Sequence, residues 1–201
     1  MGASSAGIVG RMTLAQWASR HAEDLLELLG ARWAHVQAVA EQAGRIAPAV
    51  LPADQRETLI AAAWLHDIGY APALATTGFH PLDGARHLEA LAVDRRLCCL
   101  VAHHSGATFE AEERGYAAEL AAFEREDSPV MDALIYADMT TGPAGQHLSF
   151  EARIAEILGR YPPGHPVHCA ITRSRPTLAA AVDRTARQLA SAANAIRFGS
   201  R

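Results

Sequence analysis

The chain has 201 residues, of which 50% are hydrophobic but only 6% aromatic, and its formal net charge is -4 with histidine neutral. All 18 basic residues are arginine and they are scattered along the chain, so no basic stripe for duplex nucleic acid is present. We therefore expect no polymeric nucleic-acid partner, and the length fits one domain with a substantial core.

The cysteines and the first residues bear on location. Cys98, Cys99 and Cys169 form no C-x-x-C pair and leave an odd count, which fits a reducing cytoplasm better than a disulfide framework. Residues 1–10 lack a basic segment followed by a sustained apolar one, and no apolar run reaches the roughly 18 residues of a membrane span. The sequence thus predicts a cytoplasmic protein without a signal peptide or membrane contact.

Helical periodicity divides the chain into helices joined by loops, and no segment alternates well enough to predict a strand. Thr13 can cap the first helix, Gly30 can end it, Pro48 is expected to stop the second, and Gly69 is the natural terminator of the third. The predicted helices cover approximately residues 13–29, 31–47, 52–66, 81–91, 94–104, 110–123, 129–139, 149–161 and 176–196.

These helices predict an all-α protein with a single domain. Residues 1–12 are expected to be a flexible leader, and residues 13–160 form the body of the domain. Residues 161–201 are expected to supply a Pro-rich connector and a C-terminal helix that packs on the same domain.

Histidines and aspartates stand on or at the ends of several apolar helices. His66 and Asp67 are adjacent and can grip the same metal ion, while His35 and Asp138 lie on two other helices. A carboxylate on an apolar face, such as that of Asp138, is costly to bury unless it is paired or bound to a metal. Any one buried histidine could be a satisfied core residue. The four groups together favour a metal site.

Three further histidines, His80, His103 and His104, lead into or end apolar helices. They indicate a second ion with Asp67 shared between the two, or else a single-metal site in which one histidine is a general acid. Imidazole and carboxylate ligands without thiolate suit a divalent transition metal, with iron or manganese favoured and zinc, nickel or cobalt also open.

The order His35, then His66-Asp67 within Leu65-His66-Asp67-Ile68-Gly69, then Asp138 resembles the HD superfamily of metal-dependent phosphohydrolases. The resemblance covers about residues 30–145 and implies an HD-type helical bundle. Residues 80–88 and 101–104 are similar to the added histidine motifs of HD-GYP phosphodiesterases, although the Gly-Tyr-Pro element itself is missing. The compact layout is also similar to bacterial diadenosine tetraphosphate hydrolases.

The resemblance implies hydrolysis of a phosphate ester or anhydride, of a nucleotide or another small phosphorylated metabolite, by a metal-activated water. The residues expected to act in catalysis are Asp67, His103 and His104. The residues expected to bind the phosphate are Arg86, Thr140, Thr141 and Arg153. Arg153 could instead form a surface pair with Glu156, three residues further along its helix.

Two other functions stay open on the sequence. Some HD proteins hold a di-iron centre and oxidise small organic or phosphonate substrates, and the same ligands would serve that chemistry. A binding module that has lost turnover is the third possibility, and the oligomeric state is not indicated.

Overall fold

The computed structural model describes residues 12–198, with side chains described through residue 195. The described residues form ten α-helices and three short 3-10 turns, with no strand, which confirms the predicted all-α fold. The helices are α1 (Leu14–Leu26), α2 (Ala31–Val50), α3 (Ala53–Leu65), α4 (His80–Ala90), α5 (Arg95–His103), α6 (Ala107–Arg114), α7 (Ala117–Leu120), α8 (Pro129–Met139), α9 (Phe150–Arg160) and α10 (Pro166–Phe198). The leader predicted for residues 1–12 lies, apart from Met12, outside the described residues.

Side-chain caps start several helices where the sequence predicts them. The Thr13 hydroxyl accepts from the backbone N–H of Gln16, whose side chain accepts from the Thr13 N–H, so α1 opens with a reciprocal capping box. The hydroxyls of Ser128 and Ser149 accept backbone N–H groups of the first turns of α8 and α9. Each cap satisfies a donor that the helix itself leaves unpaired.

The prediction that Pro48 ends the second helix is wrong, because α2 continues to Val50. A proline in the last turn removes one N–H and crowds the carbonyl one turn earlier, but its fixed φ is compatible with the helix. Arg56 of α3 donates to the carbonyls of Pro48 and Leu51, at 3.3 and 3.0 Å, and so satisfies acceptors at this helix end.

Two boundaries in the second half also differ from the prediction. The segment 110–123 forms two helices, α6 and α7, because the chain turns at Gly115 with φ of 78°. The last helix begins at Pro166, ten residues before the predicted Pro176. Pro176 lies on the exposed side of α10, where water can satisfy the carbonyl that a proline leaves free.

Helices α2, α3 and α8 pack against one another at the centre of the molecule. Helix α1 lies on α3, α4 packs on α5, and α10 crosses α8, α6, α2 and α9. Ala61, Ala62 and Ala63 are fully buried, and such small side chains allow the helices around α3 to approach closely. None of the described helices combines the length and the hydropathy needed to cross a bilayer. The packing brings the C-terminal ends of α3, α5 and α8 towards the first residue of α4.

Candidate metal centre

Six buried or nearly buried side chains meet where these helix ends converge. Five of them are almost fully inaccessible, and His80, on the first turn of α4, is partly exposed. They form two groups, in each of which the potential ligand atoms lie within 4.8 Å of one another. The first group is His35, His66 and Asp138, and the second is Asp67, His80 and His104.

The first group joins residues far apart in the chain. Nε2 of His35 lies 3.0 Å from Oδ1 of Asp138, 103 residues further along. Nε2 of His66 is buried and makes no hydrogen bond, although it lies 3.3 Å from Oδ2 of Asp67. An imidazole nitrogen buried without a partner is costly in free energy, and a bound metal would remove that cost.

The second group is built from two helix ends and the turn after α3. Nε2 of His80 lies 3.2 Å from Nε2 of His104 and 3.2 Å from Oδ1 of Asp67. Two imidazoles on one tetrahedral zinc ion, with Zn–N bonds near 2.0–2.1 Å, would have their nitrogens about 3.3 Å apart. The spacing of His80 and His104 therefore suits two ligands of a single ion.

Asp67 lies between the two groups and turns one oxygen to each. Its Oδ2 is 3.3 Å from Nε2 of His66 and 3.8 Å from Nε2 of His35. Its Oδ1 is 3.2 Å from Nε2 of His80 and 3.7 Å from Nε2 of His104. One carboxylate could thus bridge two ions, as carboxylates do in two-metal sites.

Backbone carbonyls hold three of the imidazoles in the orientation that a ligand needs. Nδ1 of His35, His66 and His104 donates to the carbonyls of Gly142, Ala63 and Val101, at 3.1, 2.7 and 2.7 Å. In a neutral imidazole with Nδ1 protonated, Nε2 carries the lone pair that binds metal. With Nδ1 held in this way, Nε2 is the atom of each of these three histidines that could bind a metal.

The electrostatics keep both carboxylates of the centre in the ionised form that binds metal. Burial by itself would raise the pKa of Asp67, but the charges of Arg32 and His66 hold that pKa well below its usual range. Burial would likewise raise the pKa of Asp138, and the hydrogen bond and charge of His35 hold it well below its usual range. Burial lowers the pKa of His80, which favours its neutral form. At His66, by contrast, burial is outweighed by the charges of Asp67 and Asp138, which raise the pKa. Ionised carboxylates and imidazoles thus converge, and these residues could bind divalent metal ions.

Arg32 and Tyr70 stand at the open side of this centre. Arg32, one turn before His35 on α2, donates to Oδ2 of Asp67, and its guanidinium lies 3.9 Å from the centre of the Tyr70 ring. The Tyr70 ring stacks on His80 with centroids 4.0 Å apart. The stack closes one wall of the pocket and places a positive charge beside the carboxylate of Asp67.

Ser105 connects the two groups through the backbone. It follows His104 directly, has a left-handed φ of 47°, and its hydroxyl donates to Oδ2 of Asp138. A serine rarely adopts this φ, so the surrounding structure holds it there at a cost of about 1–3 kcal/mol. The turn thereby sets the position of His104 and the orientation of Asp138 together.

Of the two adjacent histidines, only His104 belongs to one of the two candidate ligand groups among the described residues. Nε2 of His103 donates to the carbonyl of Phe123 at 2.7 Å, and its Nδ1 lies 3.4 Å from Oγ1 of Thr108. Both ring nitrogens therefore have protein partners away from the centre.

Three of the four residues predicted to bind phosphate also lie away from the pocket. Arg86 is exposed on α4. The hydroxyls of Thr140 and Thr141 donate to the carbonyls of Tyr136 and Ala137. Gln42 of α2 donates to Oγ1 of Thr140 at 2.5 Å, so this network joins the end of α8, next to Asp138, to the helix that carries His35.

The fourth of these residues, Arg153 of α9, lines the pocket above the metal-binding groups. Its NH2 lies 3.7 Å from Oδ1 of Asp138, and its NH1 donates to Glu156 at 2.6 Å. The pairing with Glu156 considered from the sequence is thus present, but Arg153 is buried rather than at the surface. The pocket is small, with a volume of about 80 Å³.

Several pocket residues were not predicted from the sequence. Arg32 could have been found, because it lies three residues before His35 and so on the same helix face. Ser105 could not have been found, because no sequence pattern predicts a serine with a left-handed backbone. Arg160 and Tyr161 line the pocket because α9 ends there, beside the start of α10.

Comparison with protein-family models matches residues 32–160 to the HD domain, which is more than half of the chain. No curated protein and no solved structure matches the chain.

Proposed function

The chain belongs to the HD domain family, whose members are largely metal-dependent hydrolases, and we propose that it hydrolyses a phosphate ester or anhydride. The substrate is a small phosphorylated metabolite, with nucleotides among the candidates. Two divalent ions, iron or manganese, would occupy the two groups of ligands.

The position of Asp67 is the observation that supports this proposal best. Its two oxygens face different groups, at 3.3 Å from Nε2 of His66 and 3.2 Å from Nε2 of His80. This is the arrangement expected of a carboxylate shared by ions about 3.5–4 Å apart, the spacing found in two-metal phosphatases. Bound ions would lower the pKa of a coordinated water and polarise a phosphoryl oxygen, which removes the need for a serine or cysteine nucleophile.

The protein's own residues would then orient the substrate and compensate its charge. Arg153, beside Asp138, offers guanidinium donors to the phosphoryl oxygens, and Arg32 offers a second set beside Asp67. Met139 and Ile157 provide apolar surface in the same pocket and limit the access of bulk water to the phosphate.

The test is phosphate release by protein loaded with manganese or iron, measured on a panel of nucleotides, dinucleotides and sugar phosphates together with the metal content per chain. Asp138→Asn should lose activity and bound metal. Asp132→Asn is the matched control, since Asp132 lies on the same helix but pairs with Arg184 on the outside. Turnover that persisted after metal removal would contradict the proposal, and so would a product that formed only with dioxygen, which would indicate an oxygenase.

A further inference from the structure

The strip of α9 that lines the pocket carries two arginines at different depths. Arg153 lies deep, beside Asp138, and Arg160 lies seven residues later at the mouth. Seven residues are two turns of helix, so both side chains leave α9 on the same face. The side chain of Arg153 is only 6% exposed, whereas that of Arg160 is 37% exposed.

One carboxylate holds both arginines in place. Glu156 accepts from NH1 of Arg153 on one oxygen and pairs with Nε of Arg160 on the other, both at 2.6 Å. On α9 itself the two positive charges share one carboxylate, so this strip carries a net positive charge, while Arg153 also lies 3.7 Å from Oδ1 of Asp138 on α8. The Nε of Arg153 is buried and has no hydrogen-bond partner, which shows that Glu156 does not exhaust the donors available.

The carboxylate that α6 contributes to the pocket is already paired. Glu110 lines the pocket, but it pairs with Arg114 at 2.6 Å. Between the two arginines the wall is apolar, formed by Ile157 of α9 with Val167 and Ile171 of α10. The pocket therefore offers a positive position beside the metal centre, a short apolar stretch, and a second positive position at the mouth.

We propose that the substrate is a small phosphate ester that carries two separate anionic groups. One is the phosphate at the metal centre, and the second is bound by Arg160. The inference rests on the function proposed above and narrows its substrate class. A guanidinium matches phosphate or carboxylate equally well in geometry, so either could be the outer group. The small volume of the pocket, about 80 Å³, favours a short uncharged linker over a nucleobase between the two anions.

Binding rather than turnover tests this inference, with butane-1,4-bisphosphonate and butylphosphonate as non-hydrolysable probes. Isothermal titration of the manganese-loaded protein should give a bisphosphonate Kd at least about tenfold below that of the monophosphonate, as expected for one added charge-assisted interaction. In Arg160→Gln the ratio should fall to near one, with the monophosphonate Kd unchanged. A phosphonobutanoate probe distinguishes an outer carboxylate from an outer phosphate.

Arg175→Gln is the matched control, because Arg175 is an exposed arginine that also pairs with a glutamate of α9, Glu151, but lies outside the pocket lining. It should keep the wild-type ratio. Equal affinities for the two probes in the wild type, or a ratio that Arg160→Gln leaves intact, would overturn the inference. Hydrolysis of monophosphates would still stand in that case, whereas failure of metal binding or phosphate release would contradict the proposed function itself.

Discussion

Replacing Gly69 by alanine should disturb one candidate ligand group, Asp67, His80 and His104, and leave the other intact. A Cβ at this position would lie 2.0 Å from the carbonyl oxygen of His80 and 2.8 Å from the backbone nitrogen of Gly84. Those two atoms are four residues apart, so they span the first turn of α4. The φ of Gly69 is not positive, and the glycine is therefore required by space rather than by backbone angles.

The expected loss of stability follows from the overlap between the added Cβ and these backbone atoms. The atoms are backbone, so no side-chain rotation can relieve the contact, and α4 must move by about 1 Å to restore a normal separation. Overpacking of this kind costs about 3 kcal/mol, which for a chain of this size corresponds to a fall in Tm of about 6–12 °C. Because His80 is the first residue of α4, the same movement should disturb its 3.2 Å approach to Asp67.

Thermal unfolding and metal analysis of Gly69→Ala test this reasoning together. We expect the lower Tm and the loss of one of two ions, with the ion held by His35, His66 and Asp138 retained. Gly159→Ala is the control, since a Cβ there meets nothing within 4 Å and α9 should gain about 1 kcal/mol of stability. A Gly69→Ala variant with unchanged Tm and full metal content would refute the argument.

Four more substitutions probe the centre and its surroundings. Asp67→Ala should abolish metal retention and activity with the helical circular dichroism preserved, because both groups lose their shared carboxylate; a variant that keeps full occupancy and turnover would remove Asp67 from the site. His80→Ala should reduce the bound metal from two ions to one, while His103→Ala should leave it unchanged. An equal loss of metal in the two variants, measured by elemental analysis, would show that His103 contributes to metal binding despite its hydrogen bonds to other groups. Ser105→Gly should relax the left-handed backbone but remove the hydroxyl that orients Asp138. The Kd for metal in a competition titration should therefore rise about tenfold, while Tm stays nearly constant. An unchanged metal affinity would show that the hydroxyl is dispensable.

The sequence predicted most of the helices because their apolar periodicity and caps are local properties. The meeting of His35, His66, Asp67 and Asp138 could also be inferred, since polar groups on apolar faces must point into the same interior. The sequence could not predict which of the two consecutive histidines, His103 or His104, faces the centre. His103 has φ of -114° and ψ of 8°, whereas His104 has ψ of 152°, and this change of backbone direction at the end of α5 is set by packing.

The predictions that Pro48 ends the second helix and that Pro176 begins the last one were wrong for the same reason. Proline marks a helix start or stop in most contexts, but it is compatible with the last turn of α2 and with the exposed side of α10. Only the surroundings, such as the Arg56 hydrogen bonds to the end of α2, show that the helix continues. The phosphate-binding predictions for Thr140 and Thr141 could not anticipate Gln42, because that partner is about a hundred residues away in sequence.

The candidate ligands come from α2, α4 and α8 and from the turns that follow α3 and α5, so metal uptake would join elements that the chain otherwise brings together only by packing. A ligand that binds only the folded state adds about 2.7 kcal/mol of stability at a hundred times its Kd. For a protein with a typical margin of about 5–15 kcal/mol, that contribution is a sizeable share of the whole. The amount of intact protein in a cell would then follow the supply of metal, since chains made during scarcity would unfold more often and meet proteases sooner.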